Sequence, residues 1–178
     1  ASVTESKVLK WADKLTTDSK AVSEAYKKKL GANFEFLYAP LDVTKFNDLP
    51  DVSKKEKQVI YIGRDSYEKG IDILRDIESK INGSVVYCTD SEWKETMSEL
   101  KASSVLVVPS RMESIPQVIK EAFFLNIPVV ATKVGGIPEL IKHEKNGLLV
   151  DPNNSEQLVN SVNELLENQE KAANIAHA

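Results

Sequence analysis

One stretch decides the fold that this sequence predicts: it runs Ser103–Glu121, SSVLVVPSRMESIPQVIKE. It opens with a short β-branched run that Pro109 ends, and this pattern is typical of a buried strand at 105–108. Apolar residues then recur at helical spacing and predict an amphipathic helix: Ile115, Val118, Ile119, Ala122 and Phe123. A strand, a polar loop and a helix N-terminus in this order attract an anion such as a phosphate, because the N–H groups of the first helical turn have no partner within the helix.

The loop inside this stretch carries the first candidate site residues. Glu113 stands just before the helix and Glu121 lies within it. Ser114 followed by Gln117 has the spacing of a capping box, and Pro116 suits a first turn in which no backbone donor is needed. We therefore expect Ser114 to cap the helix.

The composition excludes several classes of function. The 178 residues are 42% hydrophobic and 28% charged, as in an ordinary globular protein, and the formal net charge of −4 argues against a nucleic-acid or membrane-surface partner. Cys88 is the single cysteine, so no internal disulfide can form and a reducing cytosol is the expected compartment. No spacing of histidines, cysteines and carboxylates suggests a metal site.

Strand and helix patterns alternate from residue 58 onward. Apolar runs predict strands, and amphipathic stretches between them predict helices at 68–81, at 91–102 and from 155. The predicted strands are 59–62, 85–88, 105–108, 128–132 and 147–150. This alternation predicts an α/β fold, a Rossmann-like parallel sheet of about five strands with helices on both faces.

Residues 1–46 have a different pattern from the rest. A helical turn is expected near 7–11, and two strand-like runs, 14–18 and 34–38, flank a helix that ends at Gly31. So few elements cannot bury much apolar area. The polar residues 47–57 indicate a linker, and we divide the chain into 1–46 and 47–178.

The topology locates a site. With right-handed crossovers, strand 85–88 lies on one side of 59–62 and strand 105–108 on the other, so the strand order reverses there. Ligands of open α/β sheets bind at such a point, outside the carboxyl ends of the strands. The first loop there offers Arg64 and Lys69, whose charges suit a diphosphate, and the second offers a helix N-terminus and carboxylates, which suit sugar hydroxyls.

Simpler interpretations stay open for each of these residues. Arg64 and Lys69 are also what an ordinary charged surface contains, and Glu121 also fits a solvated helix position. Cys88 is more often a core residue than a reactive one. The convergence of several features at one predicted edge of the sheet favours the functional interpretation.

The motifs together resemble a known family. Residues 58–150 resemble the nucleotide-sugar-binding domain of retaining glycosyltransferases of the GT-B architecture, the group 1 family. Two glutamates with seven residues between them, Glu113 and Glu121, match the family pattern. The other matching motifs are Gly63-Arg64, Glu68-Lys69-Gly70, Pro109-Ser110, Pro128 to Thr132, Val134 to Glu139 and Asn146 to Val150.

The resemblance implies roles for individual residues. Arg64 and Lys69 would hold the diphosphate of a UDP- or GDP-sugar, without a metal or other cofactor. Glu121 would bind the ribose hydroxyls, and Glu113 would contact the transferred sugar as the candidate catalytic residue. The remaining donor-binding candidates are Gly63 and Ser110, with the backbone N–H groups of Gln117 and Val118.

The chain departs from the family pattern in three places. Residues 1–46 resemble only the tail of the N-terminal acceptor domain, with Pro40-Leu41 where the family has Asn-Gly. One strand–helix unit of the family is missing between 82 and 104, and that unit often supplies the contacts to the base. Thr89 is a candidate for such a contact here. Pro116 replaces a frequent glycine and removes one amide donor.

The resemblance implies transfer of a sugar from a nucleoside-diphosphate donor to an acceptor hydroxyl on a glycan, lipid or small molecule. With the acceptor domain missing, this chain alone is expected to be inactive or to hydrolyse its donor slowly. The same resemblance allows a place at the inner face of the membrane, reached through the missing domain. Two alternatives stay open: a nucleotide-sugar epimerase-like domain, and a non-catalytic nucleotide-sugar binding module, which reconstitution with an N-terminal domain would distinguish.

Overall fold

The structure, a computed structural model, describes residue 9 and residues 11–178 of the chain. The chain divides after Pro40 into a first unit and a second unit, Leu41–Ala178. The sequence predicts the division near residue 46, but Phe46 is buried in the core of the second unit. The helical turn expected near 7–11 lies largely outside the described residues.

The first unit contains a β-α-β arrangement whose start and stop signals are those of the sequence. Two parallel strands, β1 (Thr16–Thr17) and β2 (Glu35–Phe36), flank the helix α1 (Lys20–Leu30). The Ser19 hydroxyl caps α1 by accepting a hydrogen bond from the N–H of Val22. Gly31 ends the helix in the left-handed conformation at φ 66°, as the sequence predicts.

A five-stranded parallel sheet forms the centre of the second unit. Its strands are β3 (Gln58–Ile62), β4 (Ser84–Cys88), β5 (Val105–Val108), β6 (Val129–Thr132) and β7 (Leu148–Val150). They lie in the order β4-β3-β5-β6-β7, and every pairing is parallel. The predicted Rossmann-like sheet is therefore confirmed, together with the reversal of strand order between β3 and β5.

Helices cover both faces of this sheet, as the sequence predicts. They are α2 (Ile71–Ile77), α3 (Trp93–Ala102), α4 (Gln117–Phe124), α5 (Ile137–Leu140), α6 (Ser155–Glu167) and α7 (Gln169–Ala176). Alternate residues of each strand point to opposite faces, so β3 and β5 feed two apolar clusters. One cluster includes α2, α6 and α7, and the other includes α3, α4 and α5.

Two helix predictions need correction. The helix expected at 68–81 is interrupted at Gly70, which has φ 69° and separates a 3₁₀ turn, Tyr67–Lys69, from α2. A Cβ on Gly70 would lie 2.1 Å from the carbonyl oxygen of Pro109, so the break results from close packing of two loops. The helix expected from 155 is divided in two: α6 ends at Glu167, and α7 begins after Asn168 and buries Ile175.

The capping box expected at the start of α4 is also wrong. The helix begins at Gln117, and Pro116 occupies the N-cap position. The proline ring has no side-chain acceptor and no N–H group, so it cannot cap as a serine would. The carbonyl of Ser114 instead accepts a hydrogen bond from the N–H of Gly136, across the edge of the sheet.

Candidate functional site

The predicted site residues lie at the carboxyl ends of β3 and β5, which are neighbours in the sheet. The loop from β3 to α2 carries Gly63, Arg64 and Lys69, and the loop from β5 to α4 carries Ser110 and Glu113. The order of strands reverses between these two strands. This is the place where open α/β sheets bind their ligands.

A hydrogen bond from Tyr61 stabilises the turn after β3. The Tyr61 hydroxyl donates to the carbonyl oxygen of Arg64 at 2.8 Å, and the N–H of Gly63 donates to the carbonyl of Cys88 at 3.1 Å. Burial raises the pKa of Tyr61 to about 12, so its hydroxyl keeps its proton at neutral pH. The guanidinium of Arg64 is exposed and makes no hydrogen bond to any residue that the structure describes. The fixed turn therefore presents an exposed cation to solvent.

Lys69 and Glu113 form an ion pair across the two loops. The Lys69 ammonium lies 2.5 Å from Oε1 of Glu113, and the Ser110 hydroxyl donates to the same oxygen at 2.9 Å. The Glu113 side chain is only 9% exposed and that of Lys69 is 25% exposed. An ammonium has three donors and a carboxylate about four acceptor positions, so each group can bind a ligand while the pair is kept.

Close backbone contacts hold the loop that carries Glu113. A Cβ on Gly135 would lie 1.8 Å from the carbonyl oxygen of Glu113, so the loop after β6 runs directly against it. On the other side, the N–H groups of Arg111 and Met112 both donate to the carbonyl of Glu68. The position of Glu113 is thus set by main-chain contacts from two neighbouring loops.

Arg111 adds a contact that the sequence does not predict. Its guanidinium binds both carboxylate oxygens of Asp72 at 2.7 Å and lies 4.0 Å from the centre of the Tyr67 ring. It also donates to the side chain of Asn153 at 3.0 Å. The bond from Arg111 holds the pKa of Asp72 below its usual value. Arg111 therefore joins the loops that follow β3, β5 and β7.

Glu121 lines a cavity of about 320 Å³ at the carboxyl ends of β3 and β4. Two other predicted site residues, Gly63 and Arg64, line it as well, together with Thr89, the guessed base contact. The remaining lining residues are Ile62, Cys88, Ser91, Trp93, Thr96 and Met97. Cys88 is buried, as the simpler interpretation expects, although it reaches the wall of this cavity.

Sequence reasoning missed Trp93. Its indole N–H donates to Oε1 of Glu121 at 3.0 Å, over a separation of 28 residues along the chain. The available signal was its place at the start of the helix that follows β4, which puts it at the same edge of the sheet. The side chains of Gln117 and Val118 do not line the cavity; these residues open α4 and can offer only their backbone N–H groups.

The described residues contain neither a metal-binding cluster nor a helix that could span a membrane. In the part of the chain that the structure describes, three or more histidines, cysteines and carboxylates nowhere come together as a metal site would require. Among the same residues, every helix is too short or too polar to cross a membrane.

Comparisons with known proteins show which family the chain resembles. The family model of glycosyl transferases group 1 matches residues 77–178. An uncharacterized glycosyltransferase of Methanocaldococcus jannaschii is 29% identical over 144 residues, which are 65% of this chain and 37% of the relative. The chain spans between 27% and 38% of the length of three curated relatives that it matches.

Two solved structures show the same fold. One is the HepE protein of Anabaena in complex with UDP and glucose, which is 21% identical with a TM-score of 0.83 over 99% of this chain and 61% of that chain. The other is the C-terminal domain of a glycosyl transferase group 1 family protein from Francisella tularensis. It is 22% identical with a TM-score of 0.56, over 74% of this chain and 84% of that chain.

Proposed function

Because the chain belongs to the glycosyl transferases group 1 family, we propose that it is the donor-binding domain of a retaining glycosyltransferase. The domain holds a UDP- or GDP-sugar for transfer of the sugar to an acceptor hydroxyl. One observation carries the proposal. The Lys69–Glu113 pair and the cavity with Arg64 and Glu121 lie at the carboxyl ends of adjoining strands, where the strand order reverses.

Each group suits one part of such a donor. Arg64 and Lys69 bind the diphosphate, and the N–H groups of Gln117 and Val118 add donors at the start of α4. Glu121 accepts hydrogen bonds from the ribose hydroxyls in the cavity. Gly63 has no side chain, and the turn it belongs to packs closely on Tyr61, since a Cβ there would lie 3.1 Å from the Tyr61 hydroxyl oxygen.

The same groups favour departure of the nucleoside diphosphate. Negative charge builds on the leaving oxygen as the bond to the sugar breaks, and fixed cations and helix N–H groups stabilise that charge. Glu113 contacts the transferred sugar, and Ser110 and Lys69 keep its carboxylate in place. In this proposal the cations and the helix N–H groups stabilise the leaving group without a metal ion.

The acceptor side belongs to the longer protein in this proposal. The chain spans 37% of the relative from Methanocaldococcus jannaschii, and we propose that acceptor binding belongs to a part of the longer protein that this chain does not cover. An acceptor must be held against the donor sugar, and such positioning can supply roughly 7–11 kcal/mol of a barrier. The chain by itself is therefore a donor-binding half.

Calorimetric titration with UDP and GDP in the presence of a chelator tests the proposal. We expect one of the two to bind and Arg64→Ala to weaken its binding by about 1.5–3 kcal/mol, because bonds to phosphate are charge-assisted. Arg75→Ala is the matched control, since Arg75 lies on α2, pairs with Asp65 in the loop after β3 and does not line the cavity. Equal affinity of wild type and Arg64→Ala would remove Arg64 from the site.

A further inference from the structure

The hydrogen bond between Trp93 and Glu121 lies in the wall of the cavity. Both side chains line it, and the indole N–H takes up one carboxylate oxygen, Oε1, at 3.0 Å. An indole N–H only donates, and a carboxylate retains acceptor capacity after one such bond. The bond thus fixes the rotation of the carboxylate and leaves it able to accept from a ligand.

Trp93 is itself held by aromatic packing. The ring of Phe46 packs edge-on against Trp93 with ring centres 5.2 Å apart, and it also contacts Phe124 at 4.6 Å. Phe46 is 8% exposed and belongs to the 3₁₀ helix Val43–Asp48, near the start of the second unit. An indole held this way has little rotamer freedom, so its N–H points in one direction.

We propose that Trp93 is a positioning residue for Glu121 and makes the cavity selective for ribose over 2′-deoxyribose. This inference rests on the proposed function in one respect, namely that a nucleoside diphosphate occupies the cavity. A carboxylate that rotates freely can accept a hydrogen bond from a single hydroxyl in many orientations. A carboxylate with a fixed orientation binds more tightly the ligand whose hydroxyls match that orientation. Losing the indole N–H therefore lowers selectivity more than it lowers overall affinity.

A purely structural Trp93 would behave differently. If the indole only filled space beside Phe46, replacing it would weaken all ligands of the cavity alike. The ratio of two dissociation constants separates these cases, because ribose and 2′-deoxyribose ligands share the base and the diphosphate. Trp93→Phe is the suitable variant, because it keeps an aromatic ring against Phe46 and removes the N–H group.

The experiment measures the dissociation constants of UDP and 2′-deoxy-UDP by calorimetry, or of the guanosine pair if GDP binds more tightly. Wild type is expected to prefer the ribose form about 10- to 100-fold, the range for hydrogen bonds to a charged group. Trp93→Phe should lower that preference at least about fivefold. Tyr87→Phe is the matched control, because the Tyr87 hydroxyl also donates to a glutamate, Glu78, at 2.7 Å. Neither residue lines the cavity. Tyr87→Phe should leave the preference unchanged within about twofold.

A second measurement does not depend on how well Trp93→Phe folds. The chain has two tryptophans, so Trp11→Phe makes Trp93 the only fluorophore of its kind. Saturating UDP should change its emission clearly more than saturating 2′-deoxy-UDP, because only the ribose ligand brings a 2′-hydroxyl to the carboxylate beside the indole. In a Glu121→Gln background, Trp93→Phe should have little further effect on the preference.

The outcomes separate the two proposals. If wild type binds neither UDP nor GDP, the proposed function fails and the inference fails with it. If wild type binds and prefers ribose, but Trp93→Phe weakens both ligands equally, Trp93 is structural and only the inference is overturned. If both ligands change the emission of Trp93 equally, the inference is overturned as well. The inference is supported if Trp93→Phe loses the preference for the ribose ligand while Tyr87→Phe keeps it.

Discussion

Replacing Gly135 by alanine should disturb the position of Glu113 through the backbone alone. Gly135 has φ 51°, and left-handed backbone costs an L-residue about 1–2 kcal/mol. Its new Cβ would lie 1.8 Å from the carbonyl oxygen of Glu113, whereas real Cβ contacts essentially never fall below 3.0 Å, so the two loops must separate by about 1.2 Å. Overpacking of this kind costs roughly 1–3 kcal/mol, so Gly135→Ala should destabilise the second unit by about 2–5 kcal/mol.

Urea denaturation measures that cost, and Asn126→Ala supplies the control. Asn126 is exposed in the same unit with φ 54°, so its replacement tests the left-handed backbone without the loop contact and should cost about 1 kcal/mol. Calorimetry with a UDP- or GDP-sugar then reports the site, since Glu113 contacts the transferred sugar in the proposed function and its displacement should weaken binding of the sugar nucleotide. Equal losses of stability in the two variants would refute the claim that Gly135 packs against the backbone of Glu113.

Three further predictions concern stability. Leu106→Ala should cost roughly 2–5 kcal/mol in denaturation, because Leu106 is fully buried in a strand covered on both faces. Glu121→Gln should stay within about 0.5 kcal/mol, since the amide oxygen can still accept from Trp93, and a loss as large as that of Leu106→Ala would make Glu121 structural. Asp72→Asn should destabilise at pH 7, and the loss should shrink as the pH falls below the unfolded pKa near 3.8. The pKa of Asp72 is lowered in the fold, so its contribution to stability is present above the unfolded value and is lost as pH falls through the folded value; a loss that grows on acidification would contradict this.

The sheet could be predicted because its signals are local. The apolar run at 105–108 coincides with β5, and the handedness of crossovers places it beside β3. The break at Gly70 could not be predicted in the same way. Its cause is the approach of Pro109, which is close in space and distant along the chain. Helical spacing at 68–81 contains no information about that contact.

The candidate site shows the same limit. Motif spacing placed Arg64, Lys69 and Glu113 at one edge of the sheet, where the structure also has them. Spacing did not reveal the bond from Arg111 to Asp72, which joins residues 39 apart, or the bond from Trp93 to Glu121. Such contacts depend on how side chains rotate and pack between elements. They follow from tertiary structure and leave no periodic pattern in the sequence.

The reversal of strand order has a consequence for how the protein folds. β3 and β5 are neighbours in the sheet, but β4 and two helices separate them along the chain, so their pairing closes a long loop. Non-local pairings of this kind form slowly, because the entropy of loop closure is lost before the contacts are gained. Arg64 and Lys69 follow β3, and Glu113 follows β5. The site is therefore complete only after these two strands have paired. A nucleotide that binds only the completed site would therefore slow unfolding and leave the rate at which β3 and β5 pair during folding unchanged.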